Sequence, residues 1–331
     1  MEYYLFFYTI RGTVKFKGSR PIIISIVYIL IISAFVYYVY TNADKYVELM
    51  QISPLAVFSL MVISMLLLIV NGYITQYQII GLGAKLSYRD GFLLAAASTL
   101  ANQLPISGGL ITKGLYLKRK HNLSYSHFFS STLVLFFCFV AVNGLIGTAI
   151  LLYRFFFNKM VISPVLWIGF IVMAACLLIF WLPLERINTP IWIRKWVNQA
   201  VEGWTVISKN PILVAQLVGL QTIMMLLLAL RYWVAFHMLS QNVSPGDVVL
   251  FSSATVLTQL VSIAPGGVGI REAIVTAIAS ILGLDIGVSL VALGMDRLVE
   301  TFIIMLIGGI CTVVLGKQVS EPLAEHEKQD V

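Results

Sequence analysis

Apolar residues occur along this chain in long unbroken runs, with polar residues gathered between them. A run of about 20 apolar residues, folded as a helix, crosses the roughly 30 Å hydrocarbon core of a bilayer. A spanning backbone must satisfy its N–H and C=O groups internally, and these runs lack the two-residue period of barrel strands. The pattern therefore predicts an all-α membrane protein with about six full transmembrane helices, at residues 21–41, 54–80, 125–152, 161–182, 211–240 and 286–316.

Two further apolar stretches, residues 91–114 and 247–284, are broken near their middles by proline and glycine. The breaks read Pro-Ile-Ser-Gly-Gly from Pro105 and Pro-Gly-Gly-Val-Gly from Pro265. The first arm is only about 20 Å long at 1.5 Å per residue, which is too short to cross the bilayer. Each stretch is therefore predicted to form a helical hairpin, either re-entrant or barely spanning.

The two hairpins carry similar residues at similar spacing, because Lys113 follows Gly108-Gly109 as Arg271 follows Gly266-Gly267. Each half of the chain reads as span, span, hairpin, span. A unit with three full crossings inverts the unit that follows it, so the halves are predicted to be inverted-topology repeats related by a two-fold axis in the membrane plane. The repeats cover about residues 21–155 and 161–316, and a tail covers 317–331. The alternative is that short glycine motifs recur by chance and serve helix packing.

Composition agrees with a lipid environment, since 59% of residues are hydrophobic, 11% are charged and the mean hydropathy is +0.92. The net charge is +7, but the position of the basic residues is more informative, because Lys and Arg concentrate in cytoplasmic loops. If both termini lie in the cytoplasm, then of the Lys and Arg residues between the spans only Lys45, Arg154 and Lys159 lie outside the cell. This predicts a multi-pass protein of the cell (plasma) membrane and makes nucleic-acid binding a poor interpretation. The first hairpin then enters from the cytoplasm and the second from outside.

Signals of catalysis are scarce. The three cysteines lie in separate apolar runs, the histidines do not form a metal-ligand pattern, and no nucleotide-binding or nucleophile motif occurs. We therefore expect no enzymatic activity, no cofactor and no metal.

Seven ionisable residues fall at or near membrane depth, where each costs at least about 2.5 kcal/mol at the bilayer centre and is by default a functional hypothesis. Lys113 and Arg271 follow the glycine breaks, where backbone amides and a cation suit an anion such as a lipid phosphate. The predicted phosphate-binding residues are Gly108, Gly109, Lys113, Pro265, Gly266, Gly267, Gly269 and Arg271. The alternative is that Lys113 extends to the cytoplasmic surface and Arg271 pairs with Glu272.

The remaining charges are grouped on the last spans. Asp296 and Glu300 share one helical face, and Arg297 lies about 100° around the helix from Asp296. We interpret these residues as a gating or structural network rather than a catalytic set, because buried charges usually neutralise one another. The network comprises Arg231, Glu272, Asp296, Arg297 and Glu300.

Three segments together resemble a known family: Pro265-Gly-Gly-Val-Gly-Ile-Arg-Glu-Ala273, Asn102-Gln-Leu-Pro-x-x-Gly-Gly109 with Lys113, and Asp296-Arg297. The chain resembles the lysylphosphatidylglycerol synthase transmembrane region family, also described as flippase-like integral membrane proteins. In the bacterial multiple peptide resistance factors, a domain of this kind translocates aminoacylated phospholipid made by a fused cytoplasmic synthase. This chain ends soon after its last predicted span, so we expect no fused synthase and no lysyl transfer.

The resemblance and the charges lead to one principal hypothesis. The protein is expected to move an anionic lipid, either a phospholipid or a polyprenyl-phosphate-linked precursor, between leaflets. One alternative is a membrane-embedded transferase or hydrolase of lipid head groups that uses Glu272, Asp296 or Glu300 as acid or base. Another is a non-catalytic partner of a separately encoded synthase or glycosyltransferase.

Overall fold

In a computed structural model of the chain, the described residues are 53–103, 108–121, 123, 125–159, 162–176, 210–259 and 269–327. Every regular element within these ranges is helical. The α-helices are α1 (Pro54–Gly81), α2 (Tyr88–Ala101), α3 (Gly108–His121), α4 (Tyr125–Phe156), α5 (Pro164–Ala175), α6 (Pro211–His237), α7 (Pro245–Thr255), α8 (Ile270–Ile281) and α9 (Ile286–Glu327). A short 3₁₀ segment, Val256–Gln259, continues α7.

Within the described ranges, four segments are long and apolar enough to cross a membrane: Pro54–Gly81, Ser131–Phe156, Pro211–His237 and Ile286–Gln318. They coincide with four of the six predicted spans and confirm a helical membrane protein. The predicted span at 21–41 lies outside the described residues. The one at 161–182 is described only as far as 176, where α5 is a 12-residue apolar helix.

The last helix runs further than the apolar pattern indicated. The predicted span ended at residue 316, but α9 continues to Glu327. The apolar run ends where the side chains become charged, whereas a helix can continue through Lys, Glu, Gln and Ala, which all favour helical backbone.

The centre of the molecule is built around α1 and α6, which pack against each other in antiparallel directions. A Cβ added to Gly81, the last residue of α1, would lie 2.5 Å from a methyl carbon of Leu213 near the start of α6. Near the other end of α6, Arg231 reaches Ser64 in the first half of α1. Both helices begin with proline, which lacks the N–H that the first helical turn cannot use.

Helices α2 and α3 form the first hairpin. Their outer ends meet at an ion pair of 3.6 Å between Asp90 and Lys120. Their inner ends meet where the N–H of Gly109 donates to the side-chain oxygen of Asn102, at 2.8 Å. A Cβ on Gly109 would lie 2.5 Å from the carbonyl oxygen of Ser98, so only glycine permits this approach. Each helix has 14 residues, or about 20 Å, which is shorter than the bilayer core.

Helices α7 and α8 pack together in the second half of the chain, and the connection between them at 260–268 lies outside the described residues. Helix α7 packs against α6 and α4, as α2 packs against α1 and α9. Arg154, near the end of α4, pairs with Asp247 at the start of α7 at 2.6 Å. This buried pair holds α4 to the beginning of α7.

The loops that lead into α2 and α7 have matching hydrogen bonds. After α1, Gly83 donates its N–H to Ile80; after α6, Ser240 donates to His237. Gly83 and Ser240 both have positive φ, at 86° and 56°. The next helices share a cap, because the hydroxyl oxygens of Ser87 and Ser244 accept from the N–H three residues on, in Asp90 and Asp247.

Candidate functional site

Helices α6, α8 and α9 bring five ionised side chains into one charged cluster inside the helix bundle. Helix α6 supplies Arg231, α8 supplies Arg271, and α9 supplies Asp296, Arg297 and Glu300. The members are joined by ion pairs between 2.6 and 3.2 Å. Three of the five were predicted from their spacing on α9, but the adjacency of α6, α8 and α9 decides which groups pair.

Asp296 is the buried centre of the charged cluster, with no exposed surface. Its Oδ1 lies 2.6 Å from Nε of Arg231, and its Oδ2 accepts from Nη2 of Arg231 at 2.8 Å. The same Oδ2 accepts from Nη2 of Arg271 at 2.6 Å. One carboxylate therefore bridges two guanidinium groups, with one directed hydrogen bond from each and a further close charge contact between its Oδ1 and Nε of Arg231.

Glu300 stands one helical turn beyond Asp296 and contacts three arginines through a single oxygen. Its Oε2 lies 3.0 Å from Arg231, 2.7 Å from Arg271 and 3.2 Å from Arg297. Its side chain is 18% exposed, unlike that of Asp296. Glu300 is therefore the carboxylate at the open edge of the charged cluster.

Arg271 is held on a third side by the phenol of Tyr232. The guanidinium Nε donates to the hydroxyl of Tyr232 at 2.8 Å and the guanidinium also stands 5.3 Å from the ring centroid. Three directed bonds, to Tyr232, Asp296 and Glu300, leave the planar group little freedom. Lysine has no comparable fork of donors.

Gly269 shapes the backbone before Arg271. Its φ of 84° is a backbone conformation that residues with a Cβ rarely adopt. The carboxylate of Glu272 accepts from the N–H of Gly269 at 2.7 Å, closing the first turn of α8. Arg271 therefore pairs with Asp296 and Glu300, and the alternative pairing with Glu272 is wrong.

A cavity of about 200 Å³ lies beside the charged cluster, between α1, α6, α7 and α9. Arg231, Arg271 and Glu300 line it, so two cationic groups and one anionic group reach its wall. The rest of the described wall includes apolar residues and the polar residues Ser64, Asn71, Thr99, Asn143, Gln221, Ser252, Thr255 and Thr258. Half of these polar residues lie in long apolar helices, where the sequence pattern gives no sign that they face one space.

Lys113 does not line this cavity. It lies on α3 and its ammonium donates to the hydroxyl of Thr75 on α1 at 2.9 Å. Gly108 and Gly109, at the start of α3, lie against Ala101 and Asn102 at the end of α2. Pro265, Gly266 and Gly267 lie outside the described residues. The predicted phosphate-binding residues of the two hairpins thus belong to separate places, with Arg271 at the cavity and Lys113 away from it.

Sequence reasoning missed two features of this region. Tyr232 carries no charge and reads as an ordinary core aromatic, so its bond to Arg271 was not expected. Arg154 was assigned to an outer loop, whereas it is 7% exposed and paired with Asp247. In both cases the partner is far away in sequence, and only the packing of the helices brings it close.

These features define a class: a polytopic helical membrane protein with a cavity that several polar residues line and a charged cluster on its wall. The model of the family described as "Lysylphosphatidylglycerol synthase TM region" matches residues 22–308. The chain belongs to this family, as the motifs around Gly109 and Arg271 indicated. Comparison with curated proteins and with solved structures gives no match.

Proposed function

We propose that this protein moves an anionic lipid between the two leaflets of the membrane, with the phosphate carried through the central cavity. The observation that carries the proposal is the pair of arginines, Arg231 and Arg271, on the wall of a polar cavity inside the bundle. Ionisable groups at membrane depth are costly and commonly mark the path of a polar substrate. Family membership supports a role connected with membrane lipids.

The cavity suits a head group and not a whole lipid. Pockets for drug-sized molecules usually measure about 300–1,000 Å³, and this one measures about 200 Å³. Among the described residues, Nη1 of Arg231 has one long contact, to Ser64 at 3.5 Å, so its N–H groups are available to an anion. The acyl chains would remain in the surrounding lipid while the phosphate contacts the arginines.

We propose further that the two halves are inverted repeats. The matched residues of the loops and caps differ by 157 in number throughout, as in Gly83 and Ser240 or Ser87 and Ser244. The same difference relates the residues of α1 and α6 that line the cavity: Ser64, Leu67, Leu68 and Asn71 on α1, and Gln221, Met224, Met225 and Leu228 on α6. Because α1 and α6 are antiparallel, this correspondence supports a two-fold axis perpendicular to them, which in a membrane lies in its plane.

Each repeat also supplies one cation from the second helix of its hairpin. Arg271 is bonded to Tyr232 near the end of α6, and Lys113 is bonded to Thr75 near the end of α1. The end of α1 lies against the start of α6, so the two cations lie toward opposite faces of the bundle. We propose that a phosphate passes between them, with the carboxylates Asp296 and Glu300 gating or balancing Arg271.

The contacts of the carboxylates favour transport over head-group chemistry. Asp296 is engaged by two guanidinium groups and Glu300 by three. A general base must instead be poised to take a proton from a nucleophile or substrate. We propose a non-enzymatic protein of the plasma membrane, with cytoplasmic termini and membrane lipids as its ligands, which could serve a separately encoded synthase or glycosyltransferase.

The proposal is tested by reconstituting the purified protein in liposomes that carry fluorescent phosphatidylglycerol and adding dithionite outside. Dithionite quenches only the outer leaflet, so translocation removes the protection of the inner half. The wild type is expected to abolish this protection, and Arg271→Gln to restore it to the level of protein-free liposomes. Protection that is equal with and without the wild-type protein would refute translocation of this lipid.

Arg154→Gln is the matched control, because Arg154 is also a buried arginine paired with an aspartate but does not line the cavity. It should translocate like the wild type when equal amounts of monodisperse protein are compared. Equal loss of activity in both variants would show that damage to any buried ion pair suffices, and would remove the special role of Arg271.

A further inference from the structure

The hydroxyl groups around the cavity have their hydrogens directed away from it, toward the helix backbone. The hydroxyl of Ser64 donates to the backbone carbonyl oxygen of Leu60, that of Thr99 to Ala95 and that of Ser252 to Val249, at 2.7 to 3.0 Å. Thr255 and Thr258 donate in the same way to Ser252 and Thr255, both at 2.7 Å. A hydroxyl whose hydrogen is engaged can only accept a further hydrogen bond. These five wall oxygens can therefore only accept a further hydrogen bond, and that of Thr99 already accepts one from Nδ2 of Asn71 at 3.2 Å.

Two stronger acceptors belong to the same wall. Asn143 is 2% exposed, and its Nδ2 donates to the carbonyl of Phe139 at 2.7 Å. That carbonyl can only accept, which fixes the amide orientation and leaves Oδ1 without a hydrogen-bond partner in the part of the chain that the structure describes. The ion pairs of Glu300 with the three arginines all use Oε2, so its Oε1 takes no part in them.

The described wall thus combines two arginine donors with a set of oxygen acceptors. A phosphate satisfies the arginines. The acceptors require a ligand with several donor hydrogens beyond the phosphate. An ammonium group would bring such hydrogens, but it would enter a space of about 200 Å³ already lined by two guanidinium groups. Glu300, the one carboxylate among the described wall residues, is contacted by three arginines.

We infer that the lipid carries an uncharged, hydroxyl-rich head group, glycerol or a sugar, on its phosphodiester. This inference rests on the proposed function and narrows its substrate class. The phosphate contacts Arg231 and Arg271, while the hydroxyls donate to Asn143 and the wall oxygens. A buried polar atom left without a partner is costly, so a ligand lacking the hydroxyls is bound less well.

The test compares three fluorescent lipids in the same liposome assay: phosphatidylglycerol, phosphatidylmethanol and phosphatidylethanolamine. Phosphatidylmethanol has the same phosphodiester charge as phosphatidylglycerol but no hydroxyl, and phosphatidylethanolamine offers ammonium hydrogens. Wild-type protein should move phosphatidylglycerol on the order of fivefold faster than either, the effect expected of about one hydrogen bond. Equal rates for phosphatidylglycerol and phosphatidylmethanol, or a faster rate for phosphatidylethanolamine, would overturn the inference and leave translocation standing.

Asn143→Leu removes the unpartnered oxygen at nearly constant volume. It should remove the preference, so that phosphatidylglycerol and phosphatidylmethanol are moved at equal rates, and a monodisperse elution profile with wild-type helix content should show that the variant is folded. Gln78→Leu is the control, because Gln78 is a buried amide bonded to Thr132 away from the cavity. It should keep the wild-type preference. Loss of preference in both variants would contradict the role of Asn143.

A binding measurement separates the two proposals if no lipid is moved. In detergent, short-chain dihexanoyl phosphatidylglycerol should raise the unfolding temperature of the wild type more than dihexanoyl phosphatidylmethanol does. A larger shift for phosphatidylglycerol without translocation would retain the head-group site and refute the transport function. Equal shifts would refute the head-group preference as well.

Discussion

At the scale of single residues, the charged cluster contains two carboxylates of unequal burial. Asp296 is fully enclosed and bridges Arg231 and Arg271, whereas Glu300 lies at the cavity edge. Removing one partner of a buried ion pair leaves an uncompensated charge and costs about 3–5 kcal/mol. The side chain of Glu300 is partly exposed at the cavity, whereas Asp296 has no exposed surface.

We therefore expect Asp296→Asn to lower the free energy of unfolding by about 3–5 kcal/mol, and Glu300→Gln to lower it less. Thermal unfolding of the purified proteins in one detergent would rank the two variants. A larger loss for Glu300→Gln would mean that the open edge of the charged cluster, and not its enclosed centre, holds α6, α8 and α9 together.

The sequence identified every ionised member of the charged cluster, because an ionisable residue inside an apolar run stands out. It did not identify how they pair. Asp296 and Glu300 are one turn apart on α9, which spacing alone reveals, but Arg231 lies 65 positions before Asp296. The sequence also did not predict that Asn143 and Ser64 line the cavity. An uncharged polar residue in an apolar helix usually bonds to its own backbone, so its presence does not indicate a site.

At the scale of helices, small residues determine which pairs approach closely. Gly144 of α4 faces α5, where a Cβ would overlap the backbone nitrogen of Ala174 and stand 2.5 Å from the carbonyl carbon of Met173. Gly219 of α6 has nothing within 4 Å of the same position. Both glycines lie inside helices, so alanine improves the helix propensity of each by up to about 1 kcal/mol.

Gly144→Ala should therefore lower the thermal unfolding temperature, because it forces α4 and α5 apart and overpacking costs about 1–3 kcal/mol. Gly219→Ala should leave it unchanged or raise it. The two variants make the same chemical change, so their difference measures the packing alone. Parallel shifts in both would indicate that α4 and α5 are not in close contact.

The element pattern was the part of the fold that the sequence predicted best. Uninterrupted apolar runs gave the positions of α1, α4, α6 and α9, because a bilayer imposes a minimum length on a helix. The continuation of α9 to Glu327 was missed, since hydropathy reports the end of the lipid contact and not of the helix. The antiparallel contact of α1 with α6 could not be read from hydropathy, which carries no information about neighbours.

At the scale of the whole molecule, the two hairpins begin beside opposite ends of α6. The loop before α2 follows the end of α1, which lies against the start of α6 near Leu213. The loop before α7 follows the end of α6 itself. If α6 spans the membrane, as its 27 apolar-rich residues allow, the two loops are exposed on different sides. Lys85 and Asn242 occupy corresponding, exposed positions in these loops.

Cysteine labelling tests this arrangement directly. In a protein whose Cys138, Cys176 and Cys311 are replaced by alanine, Asn242→Cys should react with a membrane-impermeant maleimide on intact cells, and Lys85→Cys only after permeabilisation. Asn210→Cys, exposed at the start of α6, should behave like Lys85→Cys, because the end of α1 and the start of α6 are neighbours. If Lys85→Cys and Asn242→Cys react from the same side, the hairpins are not inverted, and the proposed passage of phosphate from Lys113 to Arg271 loses its geometric basis.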